Sequence, residues 1–481
     1  MSLDASSSRT LALELVDQTL TSGDFYATLE RRVARRTVSQ DASCREALYA
    51  YLDEEIAPAL EAMAFTSKII ENPKAGFPPL LIGERIEDAN LPTVLLYGHG
   101  DVTEGQEEAW TQGIDPWRMS FHEGRVYGRG IADNKAQHSV NLAALAAVIA
   151  ARQGKLGYNV KMLFEMSEEV GSPGLEEACD QYRDALAADV FLGSDGPRIR
   201  HDMPTLFLGS RGVLQFKLAL NTGNGGRHAG NWGGVITNSA AVLANALATL
   251  VSADGKILVD FLKAPPIPDA VADLIRPLPV GGEPTDPTLN PAWGEQGLSD
   301  GERLYGTNTF EIVGLSAGRT DKPVGAIPAS AEAILQLRFV KGTDWQAVES
   351  RLRAHLDAHG FAAVTSTLLG GYAATRLSPE HPWVHFVVDS ATRTLGKAPN
   401  VLPNLGGTIP NHCFSDVLGL PTVWLPHSYP SCNQHAPDEH VLEPIIEEGL
   451  RIATGLFWDL GEPAATALAD VSTTSASLTA E

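Results

Sequence analysis

From Thr93 to Gly193 the chain alternates strand-length apolar runs with helical patterns, and every apolar run ends in a short polar turn. The first run, Thr93 to Tyr97, leads into a glycine-flanked turn carrying His99 and Asp101. Two residues apart at a strand exit, an imidazole and a carboxylate can point the same way. The second run, Tyr158 to Met166, ends in Ser167-Glu168-Glu169. The third, Ala188 to Gly193, ends in Ser194-Asp195-Gly196. Between them lie a long apolar helix, roughly Ala136 to Arg152, opened by Asp133 after a Gly-rich turn, and a shorter one from about Leu175 to Leu186. Strand, helix, strand, helix, strand at this spacing predicts a parallel sheet with right-handed crossovers. In such sheets ligands collect beyond the carboxyl ends of the strands, where each acidic group and the histidine lie.

The flanking chain fits around this frame. Residues 10 to 63 read as helical, and residues 64 to 90 as strand pieces punctuated by Pro and Gly. Asp115 to Gly124 reads as a loop. The character changes near residue 205: two strand-like runs from Leu206 to Leu220, a Gly-rich loop from Asn224 to Gly234, and a helix from Ile236 to Leu250. Residues 262 to 300 read as a long ordered loop. Strands at Thr309 to Val313, Ala331 to Val340 and Ala363 to Leu369, with a helix at Trp345 to His359, complete a small α+β unit inserted into the larger one. The main unit resumes near 373. A helix is expected to start at Ser378-Pro379 and run to Leu395, with Ser as N-cap and Pro in the first turn. Gly406 to Pro410 is a tight turn, and Thr422 to Leu425 a last buried strand leading to Asn433-Gln434-His435. Ile445 to Leu460 is the closing helix. The expected division is 1–207, an insert at 208–372, 373–462, and a disordered tail at 463–481 rich in Ala, Ser and Thr.

Composition narrows the function classes. The chain has 481 residues, 44% hydrophobic and 20% charged, enough for a large buried core. A net charge of -23 argues against a nucleic-acid partner, which needs clustered Lys and Arg to displace counterions. The one basic cluster, Arg31 to Arg36, reads as a solvated helix face. No stretch reaches the roughly 18 unbroken apolar residues of a membrane span. The four cysteines are scattered, and Met1 to Ser8 is not a basic stretch leading into an apolar run, so a cytoplasmic location with reduced thiols is expected.

Five groups suit a pair of divalent cations: His99, Asp133, Glu169, Asp195 and His435. Imidazole and carboxylate donors suit Zn2+, with Mn2+ or Co2+ also compatible. Singly, a His-x-Asp after a strand is most often a turn, and a Glu-Glu pair most often solvated. Their joint placement at strand exits points to a two-metal hydrolytic site. Asp101 would accept a hydrogen bond from the His99 ring nitrogen that does not bind metal. Glu168, beside a ligand but itself free, would be the general base acting on a metal-held water.

The segments Tyr97-Gly-His-Gly-Asp-Val, Gly128-Arg-Gly-Ile-Ala-Asp-Asn-Lys, Phe164-Glu-Met-Ser-Glu-Glu-Val-Gly-Ser and Gly193-Ser-Asp-Gly together resemble the motif series of the carnosinase-type dipeptidases. These belong to the di-zinc peptidase family that also holds aminoacylases, acetylornithine deacetylase and succinyl-diaminopimelate desuccinylase. The resemblance covers about residues 40 to 460. It implies an α/β catalytic domain with a mostly parallel sheet covered by helices, and an inserted α+β, ferredoxin-like lid that dimerises. It also implies Asp133 bridging both ions, His99 and Asp195 on one, and Glu169 and His435 on the other. Arg227-His-Ala-Gly resembles the family's His-Ser-Gly loop, which implies that His228 reaches across a homodimer to the oxyanion. Arg338 resembles the arginine that binds the substrate carboxylate, Asn308 a second lid donor, and Gly407 and Thr408 part of a substrate-contacting turn. The chain departs from many relatives in having Asn404 where an arginine precedes that turn.

The implied activity is hydrolysis of dipeptides or short peptides. The alternatives are an N-acyl-amino-acid amidohydrolase with the same chemistry, favoured by Asn404, and a catalytically silent binding protein on the same scaffold, disfavoured by the complete ligand set and Glu168.

Overall fold

The computed structural model describes residues 5–223, 226–283 and 286–469. Its centre is an eight-stranded sheet. In spatial order the strands are Thr66–Ile70, Leu80–Arg85, Asn159–Glu165, Thr93–His99, Val190–Gly193, Thr422–Trp424, Thr205–Phe207 and Asn400–Leu402. The four central strands are parallel to one another, and antiparallel pairs occur only towards the two edges. The sheet is therefore mostly parallel, as the strand–helix alternation predicts. Val94, Leu95, Leu96 and Tyr97 are at most 1% exposed, because helices cover both faces of a doubly wound sheet. One apolar layer holds the helices Lys135–Ala151 and Glu443–Asp459, and the other holds Leu175, Phe191, Phe414 and Trp424.

A second sheet is made by the inserted segment. Its strands are antiparallel in the order Thr309–Ala317, Ser330–Phe339, Gly212–Asn221 and Thr365–Tyr372. Helices Ser239–Ala248 and Val348–Ala358 pack on one face. With this chain order the unit is βαββαβ, the ferredoxin-like arrangement. Alternation along the strands decides what each face does. Leu335 and Leu337 are buried towards the helices, while Gln336 and Arg338 remain partly accessible on the other face.

Several expectations shift. Asp115 to Gly124 is not all loop: Ser120–His122 pairs with Arg125–Tyr127, and that strand pairs with His440–Leu442. Residues 262–300 carry the helix Asp269–Ile275 and lead into Asp300–Tyr305, and Val271, Ile275 and Tyr305 pack on the large sheet's core rather than on the insert's. Lacking a long period, two such short helices leave little trace in a Pro- and Gly-rich stretch.

The helix expected at Ser378 begins instead at Pro382, with His381 as N-cap accepting from Trp383 N. Two prolines competed for the first turn, and the second took it. Residues 463–469 are helical, with Ala465 and Ala469 buried, so the expected disorder does not extend to them. The rest of that expected tail, residues 470–481, lies outside the described residues. Among the described residues, no helix is long and apolar enough to cross a membrane.

Candidate metal centre

His99 closes a strand that is buried from Val94 onwards, and its own ring is fully enclosed. Its Nδ1 lies 3.1 Å from the Asp101 carbonyl and 3.3 Å from Asp101 Oδ1. Nε2 is thereby turned towards Asp133 Oδ1 at 2.9 Å and Asp195 Oδ2 at 3.6 Å. Asp101 acts on a second segment as well. Its two carboxylate oxygens accept from the backbone N–H groups of Glu168 and Glu169, each at 3.1 Å. One buried carboxylate therefore sets both the imidazole and the turn carrying the two glutamates.

Asp133 stands just before the helix Lys135–Ala151. Its other oxygen, Oδ2, lies 3.1 Å from His435 Nε2 and accepts from Gln434 Nε2. His435 Nε2 is also 3.0 Å from Glu169 Oε2. The result is two three-residue groups, His99–Asp133–Asp195 and Asp133–Glu169–His435, with donor atoms inside each group within 4.8 Å of one another. Asp133 belongs to both. All five residues expected as ligands converge, although 336 positions separate the first from the last.

The five side chains perturb one another strongly. Burial opposes ionisation of Asp133, but hydrogen bonds from His435 and His99 outweigh it and hold the carboxyl far below its usual range. His435 is pushed up to about 11 by Asp133 and Glu169. His99 also rises well above its ordinary value: burial lowers it, but Asp101 and Asp133 win. Glu169 is raised to about 8 and Asp195 to about 7, in both cases by burial and then by the charge of Asp133. Burial also raises Glu168. Carboxylate and imidazole donors in this number fit divalent cations.

The cluster opens into a cleft of about 1120 Å³ between the large sheet's carboxyl edge and the open face of the inserted sheet. Asp133, Glu168, Glu169, Asp195 and His435 line one wall, and Gln215, Gln336 and Arg338 the other. Gly407 and Thr408 also line it, and Arg338 Nη1 donates to Thr408 Oγ1 at 2.7 Å.

Two expected site residues are not brought here by their own chain. Asn308 is buried within the insert: its Nδ2 donates to the Leu262 carbonyl and Thr343 Oγ1, and its Oδ1 accepts from Val340 N. An amide used up in this way has no donor left for a ligand, so the assignment of Asn308 to substrate is corrected to a structural role. His228 is exposed, sits opposite Ala326 in a two-residue ladder, and is not among the residues lining the cleft. Asn404 is also structural, donating to the Tyr305 carbonyl.

Sequence reasoning missed several cleft residues, among them Gln215, Gln336, Tyr372 and His412. The first two were accessible from period-2 alternation once Arg338 had been placed on the open face. The others had no signal, since they depend on how the insert docks.

Fold and site together define a metal-dependent hydrolase. The chain belongs to peptidase family M20/M25/M40, whose model matches residues 95–459, and it is a metal-dependent peptidase. It is 27% identical over 405 residues to the Beta-Ala-His dipeptidase of Mus musculus, covering 80% of each chain. It is 26% identical over 419 residues to the Cys-Gly metallodipeptidase dug1 of Schizosaccharomyces pombe, covering 80% of this chain and 85% of that one. Its fold is similar to that of the di-peptidase Dug1p from Saccharomyces cerevisiae, with a TM-score of 0.76 at 22% identity, covering 95% of this chain and 99% of that one.

Proposed function

We propose that the chain hydrolyses the amide bond of dipeptides or short peptides using two divalent ions, most suitably Zn2+, held by His99, Asp133, Glu169, Asp195 and His435. The observation that carries this reading is the membership of Asp133 in both three-donor groups. A carboxylate with one oxygen in each group would let these residues hold two ions near the same bond. Bound there, the ions supply Lewis-acid polarisation of the scissile carbonyl and of the attacking water. Glu168 lies next to the ligand Glu169 on the cleft wall. In this reading it takes a proton from the water and delivers it to the departing amine. Asp101 keeps the His99 ring in one orientation. Arg338, steadied by Thr408, receives the substrate's carboxylate.

The same reading makes the working unit a homodimer through the insert, with borders near 208 and 372. His228 would then come from the partner subunit and donate to the oxyanion. The exposure of His228 away from its own cleft supports this. So does the edge strand Thr309–Ala317, on which Ile312, Val313 and Leu315 are 40 to 62% exposed; an unpaired apolar edge invites a second strand. A cytoplasmic setting is supported by four free cysteines.

The related reading, an N-acyl-amino-acid amidohydrolase, draws on Asn404, which brings no charge to the cleft. Stripped enzyme reloaded with Zn2+, Mn2+ or Co2+ and assayed on dipeptides beside N-acyl amino acids separates the two by relative kcat/KM. Release from dipeptides at least tenfold more efficient is expected. The reverse order would replace the dipeptide reading with the second.

A further inference from the structure

The ladder between Arg125–Tyr127 and His440–Leu442 ends at Glu439, whose carbonyl accepts from Gly128 N at 3.1 Å. This places the Glu439 side chain inside the turn that precedes Asp133. There it is 1% exposed. Its Oε1 accepts from the backbone N–H groups of Gly130 at 3.1 Å, Ala132 at 2.8 Å and Asp133 at 3.2 Å. Its Oε2 accepts from Arg129 Nη1 at 2.7 Å, and Arg129 is equally buried. Arg129 Nε and Nη2 have no partner. The guanidinium is therefore compensated by this carboxylate and by the face of Trp110, 5.7 Å away.

Glu439 also follows His435 by four residues, on a loop fastened from the other side. Gln106 Nε2 donates to the His435 carbonyl at 3.0 Å, and Thr111 donates to the Asp438 carboxylate through N at 2.8 Å and Oγ1 at 2.7 Å. His435, Asn433 and Asp438 all have positive φ, so this loop depends on outside contacts to keep its shape. One side chain thus ties together the loop of the shared ligand Asp133 and the loop of His435, segments 306 positions apart in sequence.

We propose that Glu439 is a positioning residue for the metal centre. It clamps the backbone at Asp133 to the His435 loop, so that both three-donor groups are pre-formed before a cation arrives. The inference rests on the metal reading given above. The clamp works through geometry: three convergent N–H donors fix the turn on one carboxylate oxygen, and the buried Arg129 guanidinium holds the other. Outer partners of metal ligands commonly change affinity ten- to a hundredfold, and here one such partner serves the ligand common to both sites.

The test uses the full-length protein stripped by a chelator and titrated with Zn2+, and in parallel with Co2+, whose visible spectrum reports ligand geometry. Wild type is expected to take up two ions. Glu439→Gln is expected to bind them ten- to a hundredfold more weakly, with an altered Co2+ spectrum and with kcat largely restored at saturating Zn2+. A merely structural role would reduce the folded fraction and leave the metal affinity and spectrum of the folded protein unchanged, and that result overturns the proposal. If Glu439→Gln does not fold, Glu439→Asp keeps the charge but is one methylene short of spanning Arg129 and the three N–H groups. It is expected to weaken binding about tenfold, and wild-type affinity would overturn the clamp. A wild type that binds no ion would instead overturn the metal reading together with the clamp's role, so the two failures are distinguishable.

Discussion

Glu168 and Glu169 are neighbours in sequence and differ in what they touch. Glu169 meets His435 at 3.0 Å, while Glu168 lines the cleft beside it. If Glu168 is the base, Glu168→Ala retains both ions by elemental analysis and loses about 10²- to 10⁴-fold in kcat. Turnover within a few-fold of wild type would remove it from that role. Residue identity was readable from sequence wherever chemistry restricts the choice: an imidazole or carboxylate at a strand exit is a short menu. Asn308 marks the limit. An asparagine is equally suited to a ligand and to a backbone, and only its buried bonds to Leu262, Thr343 and Val340 decide between them.

At the scale of elements, the strand Thr93–His99 works as a rigid post. Leu96 is 1% exposed within it, so Leu96→Ala should cost about 2–5 kcal/mol in denaturant unfolding. The free edge Thr309–Ala317 is the opposite case. A bulge between Ile312 and Gly314 leaves Val313 out of the ladder, and 53% of it is exposed. Lysines at Val313 and Leu315 are expected to yield a monomer by light scattering, with metal retained and kcat reduced to the level of His228→Ala. A fully active monomer would refute the cross-subunit role of His228. Elements with a long period, such as the helix Lys135–Ala151 and the central strands, were legible to within a residue or two. The three-residue strands Ser120–His122 and His440–Leu442 were not, because a ladder that short has no pattern of its own and exists only through its partners.

At the scale of the whole molecule, stability is coupled to ions and to protons. Each cation bound at a hundred times its Kd adds about 2.7 kcal/mol, so chelation should lower Tm and Zn2+ should restore it. An unchanged melting curve would argue against occupancy of the cluster. Acid acts elsewhere. His427 is lowered to about 3 by burial, and burial also holds His138 well below its ordinary value. Both are neutral when folded and take a proton more readily when unfolded, near pH 6.5. Their contribution is complete above that pH and is lost as pH falls towards the folded value. Between pH 6.5 and 5.5, His427 alone should cost about 1 kcal/mol. His427→Asn should flatten the acid side of the stability profile by that amount, measured by urea unfolding. An unchanged acid slope would show that His427 is not the group responsible.

What the amino-acid order determined by itself was the doubly wound core and the chemical type of the site, because apolar period and ligand chemistry are local properties carried by each segment. The tertiary structure alone decided which oxygen of Asp133 faces which histidine, and that Glu439 fastens the turn before it. It also decided that the inserted sheet offers Gln336 and Arg338 to the cleft while keeping His228 outside it. These are relations between segments hundreds of residues apart. They follow from strand order and docking, for which no single stretch of chain carries a signal.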